Sequence, residues 1–276
     1  MVINMPEIAE VETVRNTLKK RILNKKIKDV KVLYDRMIES PIEEFKKILV
    51  GKSIKDIDRI GKWLLFDLGD YYLLSHLRME GKYFIKNHNE EINKHEHVIF
   101  TFEDNIDLRY HDTRKFGRMN LVKKCDLGNV EAITKQGIEP ISDKLTKEYL
   151  YDKIRTKRLP MKTILLDQTI IAGLGNIYVD EVLFASGINP LKVGKDITIE
   201  ECEKIKKTSK EIILKAMEYG GTTIKSYTSS LGVTGHYQDY LMVHKREGQE
   251  CMKCHTIIKR IKVGGRSTYY CPNCQK

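Results

Sequence analysis

Four cysteines carry the clearest chemistry in this chain. Cys251 and Cys254 are separated by two residues, as are Cys271 and Cys274, with sixteen residues between the pairs. A two-residue spacing lets one tight turn aim both thiolates at a single ion, and two such turns complete a closed tetrahedral site. One structural zinc ion is therefore expected. Two disulfides are the alternative, disfavoured because nothing in the sequence reads as a secretory signal. Cys125 and Cys202 stand alone and read as ordinary buried residues or free thiols. A second chemistry sits at Gly173-Leu174-Gly175-Asn176, just ahead of a helical pattern. Glycines let backbone approach a ligand closely, and the unpaired N–H groups of a helix start suit a phosphate. Taken alone, that run reads as readily as a turn.

The charge balance points the same way. The chain of 276 residues has 49 Lys and Arg against 38 Asp and Glu, a net charge of +11. Between Lys245 and Lys276, eight basic residues face two acidic ones, so about half the excess lies in the cysteine-rich end. Such a field suits a polyanion, with nucleic acid the first candidate. No stretch approaches the ~20 apolar residues of a membrane span. Neither membrane insertion nor secretion is expected, and the protein is placed in the cytoplasm, associated with the nucleoid.

The elements that must position these groups fall into two regions. Residues 6–23 read as a helix, with Ile8, Val11, Val14, Leu18 and Ile22 at spacings of three and four. Pro6 suits the first helical position, and Glu7 and Glu10 complement the dipole at that end. From about 28 to 123 the pattern turns to short β segments, among them 27–33, 63–68, 71–74, 98–102 and 119–122, with a helix at 42–49. An antiparallel β-sandwich with flanking helices is the natural architecture for residues 6–138. Helical periodicity then takes over at 146–156, 160–166, 176–186 and 199–219. The segment 222–240 reads as a mobile loop within a helical domain of residues 139–240. In the last segment, 241–276, a hairpin forms at 257–270 around Gly264-Gly265, with Arg266 beside its tip. The fold class is α+β in two domains, closed by a four-cysteine finger.

Several runs, in order, resemble the formamidopyrimidine-DNA glycosylase family. They are Met5-Pro6-Glu7-Ile8-Ala9-Glu10-Val11-Glu12-Thr13-Val14, Gly61-Lys62-Trp63-Leu64-Leu65, and Ser75-His76-Leu77-Arg78-Met79-Glu80-Gly81. His111-Asp112-Thr113-Arg114-Lys115-Phe116-Gly117 follows, then Asp167-Gln168 with Gly173 to Glu181, which looks like a helix–two-turn–helix element, and the finger containing Arg266. The resemblance spans nearly the whole chain from Met5. It implies a bifunctional enzyme that excises oxidised purines from duplex DNA and then cleaves the abasic strand. It implies that Pro6 is the nucleophile, Glu7 the acid that helps open the sugar, and that Lys62 and Arg266 belong with them. It implies phosphate contacts for Lys62, His76, Asn176 and Arg266, and gap filling by Met79, Arg114 and Phe116. Glu10 and Glu80 are further candidates for lining the lesion pocket. The partner it implies is double-stranded DNA containing oxidised purines or abasic sites, and the chain is expected to act as a monomer.

A proline amine fits that role. A free α-amine has a pKa near ~7.7–8.0 against ~10.4 for lysine, so a neutral fraction exists at physiological pH without extreme burial. Three positions depart from the family pattern. Ala9 stands where a second proline is common, His244 where tyrosine is common, and residues 1–4 precede the family's starting methionine. An amide-bonded Pro6 has no nucleophilic amine, so the active chain is expected to start at Met5, with Met5 then removed. The alternatives are an endonuclease VIII-like enzyme for oxidised pyrimidines, which typically starts Pro-Glu-Gly-Pro, and a non-catalytic zinc-finger DNA-binding protein.

Overall fold

The computed structural model describes residues 6–222 and 235–276, within which the chain forms two compact units. The first contains residues 6–134 with 220–222 and 235, the second residues 135–219 and 236–276. Residues 1–5, the proposed extension, lie outside the described residues, as do 223–234 of the expected loop.

The first unit opens with α1 (Ile8–Ile22), followed by β1 (Ile27–Val32), α2 (Ile42–Leu49), β2 (Asp56–Ile60), β3 (Trp63–Asp67) and β4 (Tyr71–His76). Then come β5 (Lys82–Asn87), β6 (Glu96–Phe102), β7 (Ile106–His111), β8 (Arg118–Lys123) and the short α3 (Glu131–Thr134). The strands form two antiparallel four-stranded sheets in the orders β1-β6-β7-β5 and β2-β3-β4-β8. Their facing surfaces share one core. Leu64, Phe66 and Leu73 from one sheet cluster with Val98, Phe100 and Leu108 from the other, and Val11, Val14, Leu18 and Ile22 of α1 join them. On the far side of the second sheet, Trp63, Leu65 and Leu74 pack with Ile133 of α3. Both faces of β3 are thus covered, which explains a strand sequence of Trp-Leu-Leu-Phe with no polar alternation.

One expectation is corrected at the head of α1. Pro6 is not the first helical residue. Glu7 takes the cap position with extended backbone, and Ile8 begins the helix. The Glu7 N–H donates to Glu10 Oε2 at 3.0 Å, closing the first turn from the third helical position.

Arg109 on β7 is fully buried and organises the β5–β6 connection. Its guanidinium donates to Glu96 at 3.0 Å, to Asp107 at 3.1 Å, and to the carbonyls of Asn87, Glu90 and Glu91 at 2.8–3.1 Å. Two acids and three carbonyls satisfy its five N–H groups, which is what makes burial of the charge tolerable. Arg109→Ala should therefore cost about 3–5 kcal/mol, because two carboxylates lose their buried cation. Urea unfolding reads this directly, and a loss below about 1 kcal/mol would contradict the assignment.

The second unit holds α4 (Lys147–Ile154), α5 (Met161–Leu165), α6 (Asn176–Ser186), α7 (Ile199–Glu218), and the hairpin of β9 (Lys259–Val263) and β10 (Arg266–Tyr270). Thr146 caps α4, and Thr198 with Glu201 forms a reciprocal cap on α7. Every residue of α6 except Asn176 and Ala185 is buried. It ends at Gly187, whose φ of +71° permits the left-handed cap that returns the Ile188 N–H to the Leu183 carbonyl. Phe184 on α6 packs with Val243, Ile258 and Tyr269, which seats the finger on this helix. The end of the expected loop, Tyr237–Tyr240, is a short 3-10 turn with Tyr237 buried. Among the described residues no helix is long and apolar enough to cross a membrane.

Candidate functional site

Within the first unit, β2 and β3 pack against α1, whose first turn opens the candidate site. Pro6 and Glu7 are both buried there. Glu12, one turn on, accepts from Arg59 Nε at 2.9 Å and also pairs with Arg15, whose own Nε reaches the Ile57 carbonyl. Arg59 in turn donates to the Gly61 carbonyl at 2.9 Å. Gly61-Lys62 is the two-residue turn between β2 and β3, with Ile60 paired to Trp63 and Gly61 at φ +57°. These bonds bring the hairpin tip carrying Lys62 beside the first turns of α1. Although it sits at a hairpin tip, Lys62 is only 4% exposed.

His76 ends β4 directly opposite Trp63, their rings edge to face at 4.8 Å. Burial, helped by the positive charges of Arg78 and Lys62, pushes its pKa down from 6.5 to about 3. The Arg78 N–H donates to His76 Nδ1 at 2.9 Å. That bond leaves the ring's proton on Nε2, so His76 is a neutral donor. Arg78 adopts φ +53°, a sharp reversal that starts the turn holding Met79 and Glu80.

The loop after β7 is organised by one carboxylate. Asp112, fully buried, accepts the N–H groups of Arg114, Phe116 and Gly117 at 2.8–2.9 Å. His97 Nε2 lies 2.8 Å from the Asp112 carbonyl, and Lys115 takes φ +60°. Arg114 and Phe116 are left exposed, with the guanidinium stacked 4.7 Å from the ring centroid. Asp112 was not singled out in the sequence. The available signal was residue type, since an Asp in a loop favours bonding the backbone N–H groups that follow it. Glu10 was considered for a pocket wall. In the structure its carboxylate binds the Glu7 N–H, and its other oxygen accepts from the N–H and hydroxyl of Thr222 at 2.8 and 3.0 Å.

In the second unit the Gly173–Asn176 run is held by Gln168. Its amide donates to the carbonyls of Leu166 and Leu174 and accepts the Gly173 N–H at 2.9 Å, with Gly173 at φ +94°. Asn176 donates to the carbonyl of Ser267 at 3.0 Å. It therefore sits beside Arg266, the first residue of β10, at a hairpin tip whose Gly264 and Gly265 both have positive φ. Behind them lies a buried charge network absent from the sequence reading. Lys162 Nζ donates to Asp180 at 2.8 Å and to the Asn176 carbonyl at 2.9 Å, and His244 Nδ1 lies 2.7 Å from the other Asp180 oxygen. Glu181 accepts the N–H groups of Met242, Val243 and His244. Burial pushes its carboxyl upward while these bonds pull it back.

The four finger cysteines are free thiols whose sulfurs all lie within 4.8 Å of one another. Sulfur–sulfur separations of 3.4, 3.5 and 3.9 Å bracket the ~3.8 Å edge of a tetrahedron with 2.3 Å metal–sulfur bonds. The donor set fits one metal ion, and among the described residues no other cluster of ligands does.

Because its folded pKa lies far below 6.5, His76 should not titrate between pH 8 and 5 in the free protein. The unfolded chain binds the proton that the folded ring refuses, so this residue's contribution to stability falls as pH drops from 6.5 toward 3. Nitrogen-detected NMR of the imidazoles should show an invariant Nε2–H tautomer. A resonance titrating near neutrality would refute the assigned environment.

Comparison with known proteins matches three family models along the chain. They are the formamidopyrimidine-DNA glycosylase N-terminal domain over residues 5–119, the H2TH domain over 136–228, and the zinc finger found in FPG and IleRS over 248–276. The chain is 46% identical to the formamidopyrimidine-DNA glycosylase of Shouchella clausii, covering 98% of this chain and 99% of that protein. It is 43% identical to that of Bacillus cereus with the same coverage. Among solved structures, a variant of the Lactococcus lactis FPG bound to Fapy-dG-containing DNA superposes with a TM-score of 0.94 at 40% identity, over 98% of this chain and all of the other. The Lactococcus lactis Fpg bound to DNA with an abasic site gives 0.93, again at 40% identity, over 98% of this chain and 99% of that one.

Proposed function

The chain belongs to the formamidopyrimidine-DNA glycosylase family, and on that premise we propose that it excises oxidised purines from duplex DNA and then cleaves the abasic strand. The substrates of this reading are 8-oxoguanine and formamidopyrimidines. The observation that carries it is an intact Pro6-Glu7 pair buried at the start of a fastened helix, in a chain matching named enzymes over 98% of its length.

In this mechanism the Pro6 nitrogen attacks C1′ of the damaged nucleotide while Glu7 protonates the sugar ring oxygen as the ring opens. The C1′–base bond breaks, the base leaves with its bonding electrons and a proton, and an iminium joins Pro6 to C1′. The iminium acidifies the C2′ proton. Loss of that proton expels the flanking phosphate, and water then releases the sugar fragment from Pro6. Lys62 and the Nε2–H of His76 hold phosphates around the lesion. Asn176 and Arg266, adjacent through Ser267, hold the backbone from the second unit. Met79 and the Arg114–Phe116 stack fill the space left by the everted base, with Arg114 bonding the orphaned cytosine. In the finger, zinc is the ion that the four thiolates would hold. A closed four-sulfur shell leaves no position for substrate, so its contribution is to the fold of the hairpin carrying Arg266.

Two experiments test this reading. Purified protein should contain one zinc per chain, and Cys271→Ala should lose specific DNA binding while the first unit stays folded. Substoichiometric zinc in fully active protein would remove the structural role. The reading also requires Pro6 to be the first residue, because amide resonance withdraws the nitrogen lone pair. A chain beginning at Pro6 should excise 8-oxoguanine and be trapped on DNA by borohydride. A chain retaining residues 1–5 should bind the same duplex without excision or trapping. Full activity from protein whose mass accounts for all 276 residues would overturn the proline mechanism. Trapping confined to oxidised pyrimidines would move the chain to the endonuclease VIII-like reading.

A further inference from the structure

Tyr110 is the penultimate residue of β7 and is fully buried. Its ring meets Tyr83 edge-on at 5.2 Å, across the β5–β7 pairing. Tyr83 meets Phe66 at 5.6 Å, and its hydroxyl donates to Ser75 at 2.7 Å, one residue before His76. The outer end of this aromatic row is the Tyr110 hydroxyl, which lies between Gly81 and Gly117. A Cβ on either glycine would fall well inside contact distance of that oxygen. Neither glycine has a positive φ, whereas ten others among the described residues do. Backbone conformation therefore does not call for glycine at these two places. Space does, beside Tyr110 at both places and beside the Leu77 carbonyl as well at Gly81.

The two glycines close two different loops. Gly81 ends the turn carrying Met79, with its N–H bonded to the Leu77 carbonyl at 2.9 Å. Gly117 ends the loop carrying Arg114 and Phe116, with its N–H bonded to Asp112 at 2.8 Å. One rigid oxygen, fixed by a packed aromatic row, thus sets how closely both loops approach each other. Rings of this kind have few soft degrees of freedom, so they transmit position well.

We propose that Tyr110 is a positioning residue for lesion processing. Its hydroxyl holds the Met79 turn and the Arg114–Phe116 loop at the separation at which all three side chains enter the duplex together. The proposal rests on the function proposed above. Tyr110→Phe keeps the ring and removes the hydroxyl, and Gly117→Ala forces the spacing from the opposite side.

The test uses the zinc-loaded chain beginning at Pro6 and single-turnover excision of 8-oxoguanine opposite cytosine. Each substitution should slow excision about tenfold, since displacement near an ångström costs up to ~100-fold where geometry is critical. Thermal unfolding monitors the fold in parallel. The decisive readout is non-additivity with Arg114→Ala. Where Arg114 is already gone, Tyr110→Phe should cost clearly less, about threefold, because one of the three side chains it positions is absent. A merely structural role predicts the same tenfold loss in both backgrounds, and that result, or no loss at all from Tyr110→Phe, overturns the proposal. An inactive parent chain with a free Pro6 amine would instead refute the functional reading, so the two failures are distinguishable.

Discussion

The chemistry proposed for Pro6 depends on where the first turn of α1 is fastened. Helix ends fray, and the first four N–H groups of a helix have no partner within it. Here the Glu10 carboxylate bonds the Glu7 N–H on one oxygen and both polar groups of Thr222 on the other. Gly221, at φ +77°, presses so closely on Glu10 that a side chain there would collide with the carboxylate. One turn on, Glu12 binds the arginine that also holds the tip of the Lys62 hairpin. Two acids of one helix therefore fix the position of Pro6-Glu7 against both the hairpin and the residue that leads into the following segment.

The second unit uses a costlier device for the same purpose. Desolvating an ion pair costs several kcal/mol per ion, and a well-packed apolar replacement is often as stable or better. The Lys162–Asp180 pair is nevertheless completely buried, with His244 on the second Asp180 oxygen. What apolar packing could not reproduce is direction. Lys162 also bonds the Asn176 carbonyl, Glu181 takes three successive N–H groups just ahead of the finger, and Asn176 reaches β10. The network fixes the start of α6 relative to the finger hairpin. His244 fits here because Nδ1 can meet Asp180 while the ring packs edge-on at 5.0 Å from Tyr269.

Much of this was legible in the sequence where the signal is local. The helices Ile42–Leu49 and Asn176–Ser186 begin and end where periodicity and Gly187 place them. The four cysteines and the Gly264-Gly265 turn are likewise fixed by spacing and by residue type. Strands Asp56–Ile60, Lys82–Asn87 and Ile106–His111 did not stand out. Each mixes charge with apolar residues, and the charges are satisfied by partners that only the tertiary fold supplies, as with Arg59 and Glu12 or Arg109 and Glu96. The offset of α1 from Pro6 to Ile8 has a similar cause, since Glu7 becomes the cap once Glu10 closes on it. Glu10, Asp180 and Tyr110 act through residues 212, 64 and tens of positions away, or through contacts that leave no periodic trace.

In the role proposed for it, the exposed Arg114–Phe116 stack depends on such long-range fixing. Extruding a base costs a few kcal/mol, which inserted side chains must offset. Ordering a residue's backbone costs about 1–2 kcal/mol, so a floppy stretch from Thr113 to Phe116 would forfeit on binding as much as its side chains could contribute. The Asp112 carboxylate removes that cost beforehand through three N–H bonds, at the expense of a left-handed Lys115. Left-handed backbone at Arg78 does the same for the Met79 turn and simultaneously sets the tautomer of His76. Strain of order 1–3 kcal/mol at such positions persists only where the surroundings over-determine it. Arg78 opens the turn that Gly81 closes against Tyr110, and Lys115 lies within the loop that Gly117 closes against it. Under the proposed function, the protein thus stores the cost of ordering these two loops in folding, where a large core can absorb it, rather than in DNA binding, where each kcal/mol would be subtracted from the energy available to open the duplex.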